Sequence, residues 1–114
     1  MLRSFFEIIN KSRLSKIKLV VLDVDGVMTD GGLYLNSKGQ MFRKFNVKDG
    51  LGINLLIIKG IDVAMISGGK GNSINIRAKQ LGVKFCKNNV KNKAKEILKL
   101  QSLLGYNKSE TLFV

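Results

Sequence analysis

The stretch VVLDVDGVMTDGG, residues 20–32, places three carboxylates, Asp23, Asp25 and Asp30, within eight positions. The whole chain of 114 residues has only eight acids against twenty bases, a net charge of +12. Two carboxylates one residue apart behind an apolar run suit phosphoryl transfer. Asp23 could attack phosphorus and split one hard step into two. Asp25 could protonate the leaving alcohol and then activate water. Neighbouring carboxylates repel each other and an incoming phosphate, so a hard cation such as Mg²⁺ is expected to bridge them at Asp23 and Asp25. Taken alone, Asp-x-Asp-Gly is also an ordinary turn, because Asp and Gly are favoured there for local backbone reasons.

Composition narrows the chemistry. Histidine is absent, which excludes imidazole bases and His-ligated zinc. The single cysteine, Cys86, excludes an internal disulfide and a CxxC motif, and fits a reducing compartment. No apolar run has the length of a membrane span, and the start is no convincing signal peptide, so the expectation is a cytoplasmic protein with no membrane partner. The bases are spread evenly, ten in residues 1–60 and ten in residues 61–114, without interleaved aromatics. A solvated lysine-rich surface explains them better than a nucleic-acid interface.

The elements that must position the acids follow from periodicity. Residues 17–22, IKLVVL, read as a buried strand that ends at the acids. Leu33, Leu35, Met41 and Phe45 flank an Asn-Ser-Lys-Gly turn and predict a hairpin. DGLGINLLIIKG predicts a helix with Leu51, Leu55 and Ile58 on one face, Asp49 as its cap and Gly60 closing it. Residues 61–67 are a second strand, 71–81 a helix stopped by Gly82, and 83–86 a third strand that includes Cys86. VKNKAKEILKLQSLLG predicts an amphipathic helix with Ala94, Ile97, Leu98 and Leu104 on its apolar side, and residues 111–114 begin a fourth strand. Leu2, Phe5, Phe6 and Ile9 share one face of a short N-terminal helical extension, residues 1–15, ahead of a domain spanning 16–114.

Strands alternating with helices predict a parallel sheet with helices on both faces. Right-handed crossovers bring every strand's C-terminal end to one edge, where ligands of such folds bind. That edge collects Asp23, Asp25, Ser67, Gly68 and the lysines 87, 91 and 93. Ser67 and exposed backbone near Gly68 could hold phosphoryl oxygens, and a lysine could neutralise them. Asn46 reads equally as a turn former and as a substrate contact. Asp30 reads as a turn former at the hairpin entry or as a carboxylate supporting the site.

With these residues in place, the sequence resembles the haloacid dehalogenase (HAD) superfamily of phosphatases. DVDGVMTDG looks like its first motif, MISGG its second and VKNKAKEI its third. The pairing of DVDGVMTDGGLYLN with FNVKDGLGI resembles the 3-deoxy-D-manno-octulosonate 8-phosphate phosphatase-like subgroup, and also the phosphatase domain fused to some acylneuraminate cytidylyltransferases. The resemblance implies an α/β fold with a Rossmann-like HAD core, a small β-hairpin flap after the first strand and no large cap domain. It implies Asp23 as nucleophile, Asp25 as acid/base, and Ser67 and Lys93 as phosphoryl-binding groups. It implies Mg²⁺ on the Asp23 carboxylate and the Asp25 main-chain carbonyl, and Gly26, Asn46, Asp49, Gly68 and Lys70 around a small-molecule sugar phosphate. It also implies a homotetramer assembled through the residue 31–45 hairpins.

Two departures stand out. The family usually has arginine after Ser/Thr-Gly of the second motif; here Gly69 and Lys70 stand there, and lysine lacks the bidentate fork. In the family a strand like ETLFV runs into a Gly-Asp-Asp motif with a further metal carboxylate, whereas this sequence ends at Val114. The expectation is a C-terminally truncated chain with an incomplete metal site. A catalytically impaired oligomerisation or binding module is the alternative to a phosphomonoesterase acting on a phosphorylated 3-deoxy-2-keto sugar acid.

Overall fold

The structure is a computed structural model that describes residues 16–114. The helical extension expected over residues 1–15 lies outside the described residues. The described chain runs β1 (Leu19–Asp23), β2 (Tyr34–Leu35), β3 (Met41–Phe42), α1 (Val47–Ile58), β4 (Asp62–Ile66), α2 (Ser73–Leu81), β5 (Phe85–Lys87), α3 (Lys93–Leu104), a 3₁₀ turn (Lys108–Glu110) and β6 (Thr111–Phe113).

Four strands form a parallel sheet in the order β5-β4-β1-β6. β1 is internal, and Leu19 to Leu22 are wholly buried. Its side chains alternate between two cores, as the two-residue period of a strand requires. Val20, Leu22 and Val24 pack with Ile53 and Leu56 of α1 and Ile74, Ala78 and Leu81 of α2. Leu19 and Val21 face the other way, against Ile97, Leu100 and Leu104 of α3. Helices therefore cover both faces, as the alternation of elements predicts. Asp23 continues the Leu19/Val21 row, on the face that α3 covers.

Several details differ from expectation. α1 begins at Val47, not at Asp49: Asn46 is the N-cap and its side chain accepts from the Lys48 N–H. Asp49 is instead a buried first-turn residue. Because α1 is apolar nearly all round, spacing alone did not fix its inner face. Ile53 and Leu56 face the sheet, while Leu51 and Ile58 are exposed. Likewise Ala94 and Leu98 of α3 face outward, and Leu100 takes an inner position. The last residue of α1's cap is Lys59, and Gly60 follows it at φ +83°. β5 is shifted toward the C-terminus, so Lys87 ends the strand rather than following it.

The hairpin is shorter than expected, with two residues in each strand. Its turn is held by Asn36, whose side-chain oxygen accepts from the Lys38 and Gln40 N–H groups. Leu33 lies outside the paired strands, and Phe45 bridges to Thr29 and packs on the core instead.

Candidate active site

β1 ends at Asp23, and the chain turns at once. The N–H groups of Val27, Met28 and Thr29 all reach the Val24 carbonyl. Gly26 sits at φ +83°, a left-handed conformation that glycine adopts without steric cost. The Thr29 hydroxyl accepts from the Gly26 and Gly31 N–H groups and closes the turn. Val24 points into the core, so Asp23 and Asp25 are left at the sheet edge. Asp30 takes no part there. Its carboxylate accepts from the Tyr34 hydroxyl and the Gly32 N–H, which hold its pKa below the usual carboxylate value, and it fastens the entry to the hairpin.

The second wall is the loop after β4. Ser67 is fully buried; its hydroxyl donates to Asp25 Oδ2 at 3.1 Å and accepts from the Gly69 N–H at 2.9 Å. The loop is tied to the one after β5, because the Asn89 N–H donates to Gly69 O and the Val90 N–H to Ser67 O. Gly68 lies close to that second loop: a Cβ there would sit 3.4 Å from Val90 O.

The third wall is the start of α3. Asn92 caps the helix by accepting from the Lys95 N–H, and Lys93 is the first helical residue. Lys93 Nζ lies 2.8 Å from Asp23 Oδ2. Of the three candidate lysines, Lys93 is thus the one paired with Asp23. Four of the expected residues, Asp23, Asp25, Ser67 and Lys93, therefore converge at one edge.

Asn46 and Asp49 do not join that cluster. With Gly26, Thr29, Lys44 and Lys48 they line an adjoining cavity of about 810 Å³. Gly26, next to Asp25, is where the cavity meets the cluster. Burial raises the Asp49 pKa above the normal carboxylate value, and the Arg77 guanidinium opposes that shift. Lys70 enters the site through its backbone: its carbonyl oxygen, 2.8 Å away, accepts from Arg43 Nη2.

Arg43 is a member of this cluster that sequence reasoning missed. Its Nε is 3.0 Å from Asp25 Oδ1, its Nη1 donates to the Ser73 hydroxyl at 2.9 Å, and its side chain is only 4% exposed. It stands eighteen positions from Asp25, in the chain leaving β3, and no spacing rule links the two. The available signal was an arginine in a hairpin otherwise rich in exposed apolar residues.

Among the described residues no group of three His, Cys, Asp or Glu is placed to hold a metal. The oxygen donors that are present, Asp23 and the backbone around Asp25, are hard ligands of the kind Mg²⁺ prefers.

No family model matches the chain. It is 45% identical over 71 residues to the 3-deoxy-D-manno-octulosonate 8-phosphate phosphatase KdsC of Yersinia pestis, covering 62% of this chain and 38% of that one. It is 41% identical over 75 residues to the same enzyme of Haemophilus influenzae, covering 66% and 42%. The matched region thus spans about two fifths of the length of these curated relatives. Among solved structures, the Moraxella catarrhalis 3-deoxy-D-manno-octulosonate 8-phosphate phosphatase, in complex with magnesium, phosphate and KDO, superposes with a TM-score of 0.86 at 34% identity. That match covers 89% of this chain and 58% of the other. A Legionella pneumophila protein described as a HAD superfamily (subfamily III A) hydrolase gives a TM-score of 0.86 at 32% identity, covering 99% and 63%. The parallel sheet, the carboxylates at the end of its internal strand and these likenesses agree: the chain is similar to the HAD superfamily, and within it to 3-deoxy-D-manno-octulosonate 8-phosphate phosphatase-like members.

Proposed function

We propose that the chain carries the catalytic edge of a Mg²⁺-dependent phosphomonoesterase acting on a phosphorylated 3-deoxy-2-keto sugar acid such as 3-deoxy-D-manno-octulosonate 8-phosphate. The observation that carries this reading is the pairing of Asp23 with Lys93 beside the Asp25–Ser67 contact. Asp23 Oδ attacks phosphorus, the P–O bond to the sugar breaks, and Asp25 gives its proton to the departing alkoxide. Asp25 then takes a proton from water, whose oxygen attacks the aspartyl-phosphate and frees Asp23 and inorganic phosphate. Lys93 and backbone near Gly68 hold the phosphoryl oxygens throughout; the Ser67 hydroxyl, which donates here to Asp25 Oδ2, turns to join them when substrate binds and leaves that oxygen to carry the Asp25 proton. The Asp23 carboxylate and the Asp25 main-chain carbonyl would hold Mg²⁺, which supplies charge neutralisation for the phosphoryl group.

Substrate class rests on the adjoining cavity. Lys44 and Lys48 give its wall two cations suited to a sugar carboxylate, with Gly26, Asn46 and Asp49 beside them. The exposed Leu33, Leu35 and Phe42 support assembly through the hairpin, as a homotetramer. The lone, partly buried Cys86 thiol suits the cytoplasm.

A second reading, an impaired HAD-like oligomerisation or binding module, is favoured by the lack of a third acidic ligand among the described residues. Asp23→Asn separates the two. Under the enzyme reading it abolishes Mg²⁺-dependent phosphate release; under the module reading the wild-type chain releases none.

A further inference from the structure

Arg43 sits where a side chain at position 69 would otherwise be. A Cβ added to Gly69 would fall 2.6 Å from Arg43 Nη2 and 2.7 Å from Asp25 Oδ2, inside any real contact distance. The guanidinium is nearly sealed from solvent, and three of its nitrogens are committed, to Asp25, to Ser73 and to the Lys70 carbonyl. Ser67 holds the other Asp25 oxygen. The Asp25 carboxylate is therefore gripped at Oδ1 by the hairpin and at Oδ2 by the β4 loop. An arginine fork fixes direction in a way that a single lysine charge does not.

Building on the phosphatase reading above, we propose that Arg43 is a positioning residue for Asp25, delivered by the hairpin, and that Gly69 is the side-chain-free slot that admits it. Arg43 aims the carboxyl that protonates the leaving alcohol. It also couples the seating of the hairpin to that step. Arg43 does not itself bind the phosphoryl oxygens.

The test compares wild type, Arg43→Met, Arg43→Lys and Gly69→Ala on two substrates, with Asp23→Asn as control. One substrate is 3-deoxy-D-manno-octulosonate 8-phosphate, whose alkoxide needs a proton. The other is p-nitrophenyl phosphate, whose leaving group does not, followed as the first-turnover burst of p-nitrophenolate. For Arg43→Met and Gly69→Ala, kcat on the sugar phosphate falls by about 100-fold or more, the range of a lost general acid, with KM nearly unchanged. The burst rate falls less than about threefold, and Arg43→Lys recovers only part of the loss. An equal fall on both substrates with a raised KM would overturn the proposal, because that marks a phosphoryl-binding group. A neutral Gly69→Ala would overturn it as well. If Asp23→Asn hydrolyses as wild type does, or wild type hydrolyses neither substrate, the phosphatase reading falls instead. The Arg43 grip is then judged by melting temperature: non-additive shifts for Arg43→Met and Asp25→Asn support it, and additive shifts overturn it.

Discussion

Lysine at the first position of a helix is electrostatically misplaced, because that end carries the positive pole of the macrodipole. Lys93 occupies it nonetheless and points its ammonium at Asp23. Lys93→Met should therefore lower kcat by about 100- to 1000-fold, the scale of one lost electrostatic contact to a transition state. Stability should change by less than about 1 kcal/mol, because the ion pair is partly exposed and the helix end is relieved. Turnover assays and urea denaturation check the two halves separately. Asp49 gives a prediction of opposite kind. Its folded-state pKa is raised by burial, so the proton is held more tightly in the native state. The stability linked to that proton is fully present below the ordinary Asp pKa and is lost as pH rises through the raised value. Asp49→Asn keeps the uncharged form at every pH. Relative to wild type it should gain stability as pH rises from about 3.9, the unfolded pKa, toward neutrality, as read from melting temperatures across that range. The placement of Asp23, Asp25 and Ser67 at one edge was legible in the sequence because each ends or follows a strand whose apolar pattern is clear; among lysines 87, 91 and 93 that pattern did not choose, and Lys93 was singled out by the family resemblance. Arg43 was not legible, because its reach to Asp25 depends on how the hairpin folds back over the edge.

At the scale of elements, the site depends on where α3 begins. Asn92 fixes that start through its bond to the Lys95 N–H. Asn92→Ala should cost about 1 kcal/mol of stability, the usual value for a lost N-cap. Its turnover should fall as well, since the cap also sets Lys93; chemical denaturation and phosphate-release assays measure both. Strand and helix order were legible because buried β-branched runs such as LVVL and DVAMI alternate with glycine-stopped helices. Helix facing was not legible where composition is apolar on more than one side. In α1, the sheet takes Ile53 and Leu56 and leaves Leu51 and Ile58 outside, a choice made by tertiary contact rather than by period. The boundary error at Asn46 has a local cause: Asn46 and Asp49 are both good cap residues three positions apart, and Asn46 adopts the extended conformation that a cap requires.

At the scale of the whole molecule, the sheet brings the end of β1, the loops after β4 and β5, and the start of α3 together although Asp23 and Lys93 lie seventy positions apart. No helix among the described residues is long and apolar enough to cross a membrane. Most of the exposed large apolar side chains lie on the hairpin and on the outer face of α1, with Ile76, Leu98, Leu103 and Phe113 elsewhere. Under the assembly proposal, Leu35→Glu with Phe42→Glu should convert an oligomer to a smaller species, read by light scattering on a sizing column. An unchanged mass would remove the hairpin from the interface. The central claim, that this edge hydrolyses a phosphomonoester through Asp23, is tested most directly by phosphate release from 3-deoxy-D-manno-octulosonate 8-phosphate. Wild type and Asp23→Asn are compared with Mg²⁺ and with a chelator. The account predicts release by wild type with Mg²⁺ and none with the chelator or with Asp23→Asn. Equal release by the two proteins, or none from folded wild type with Mg²⁺, would contradict it.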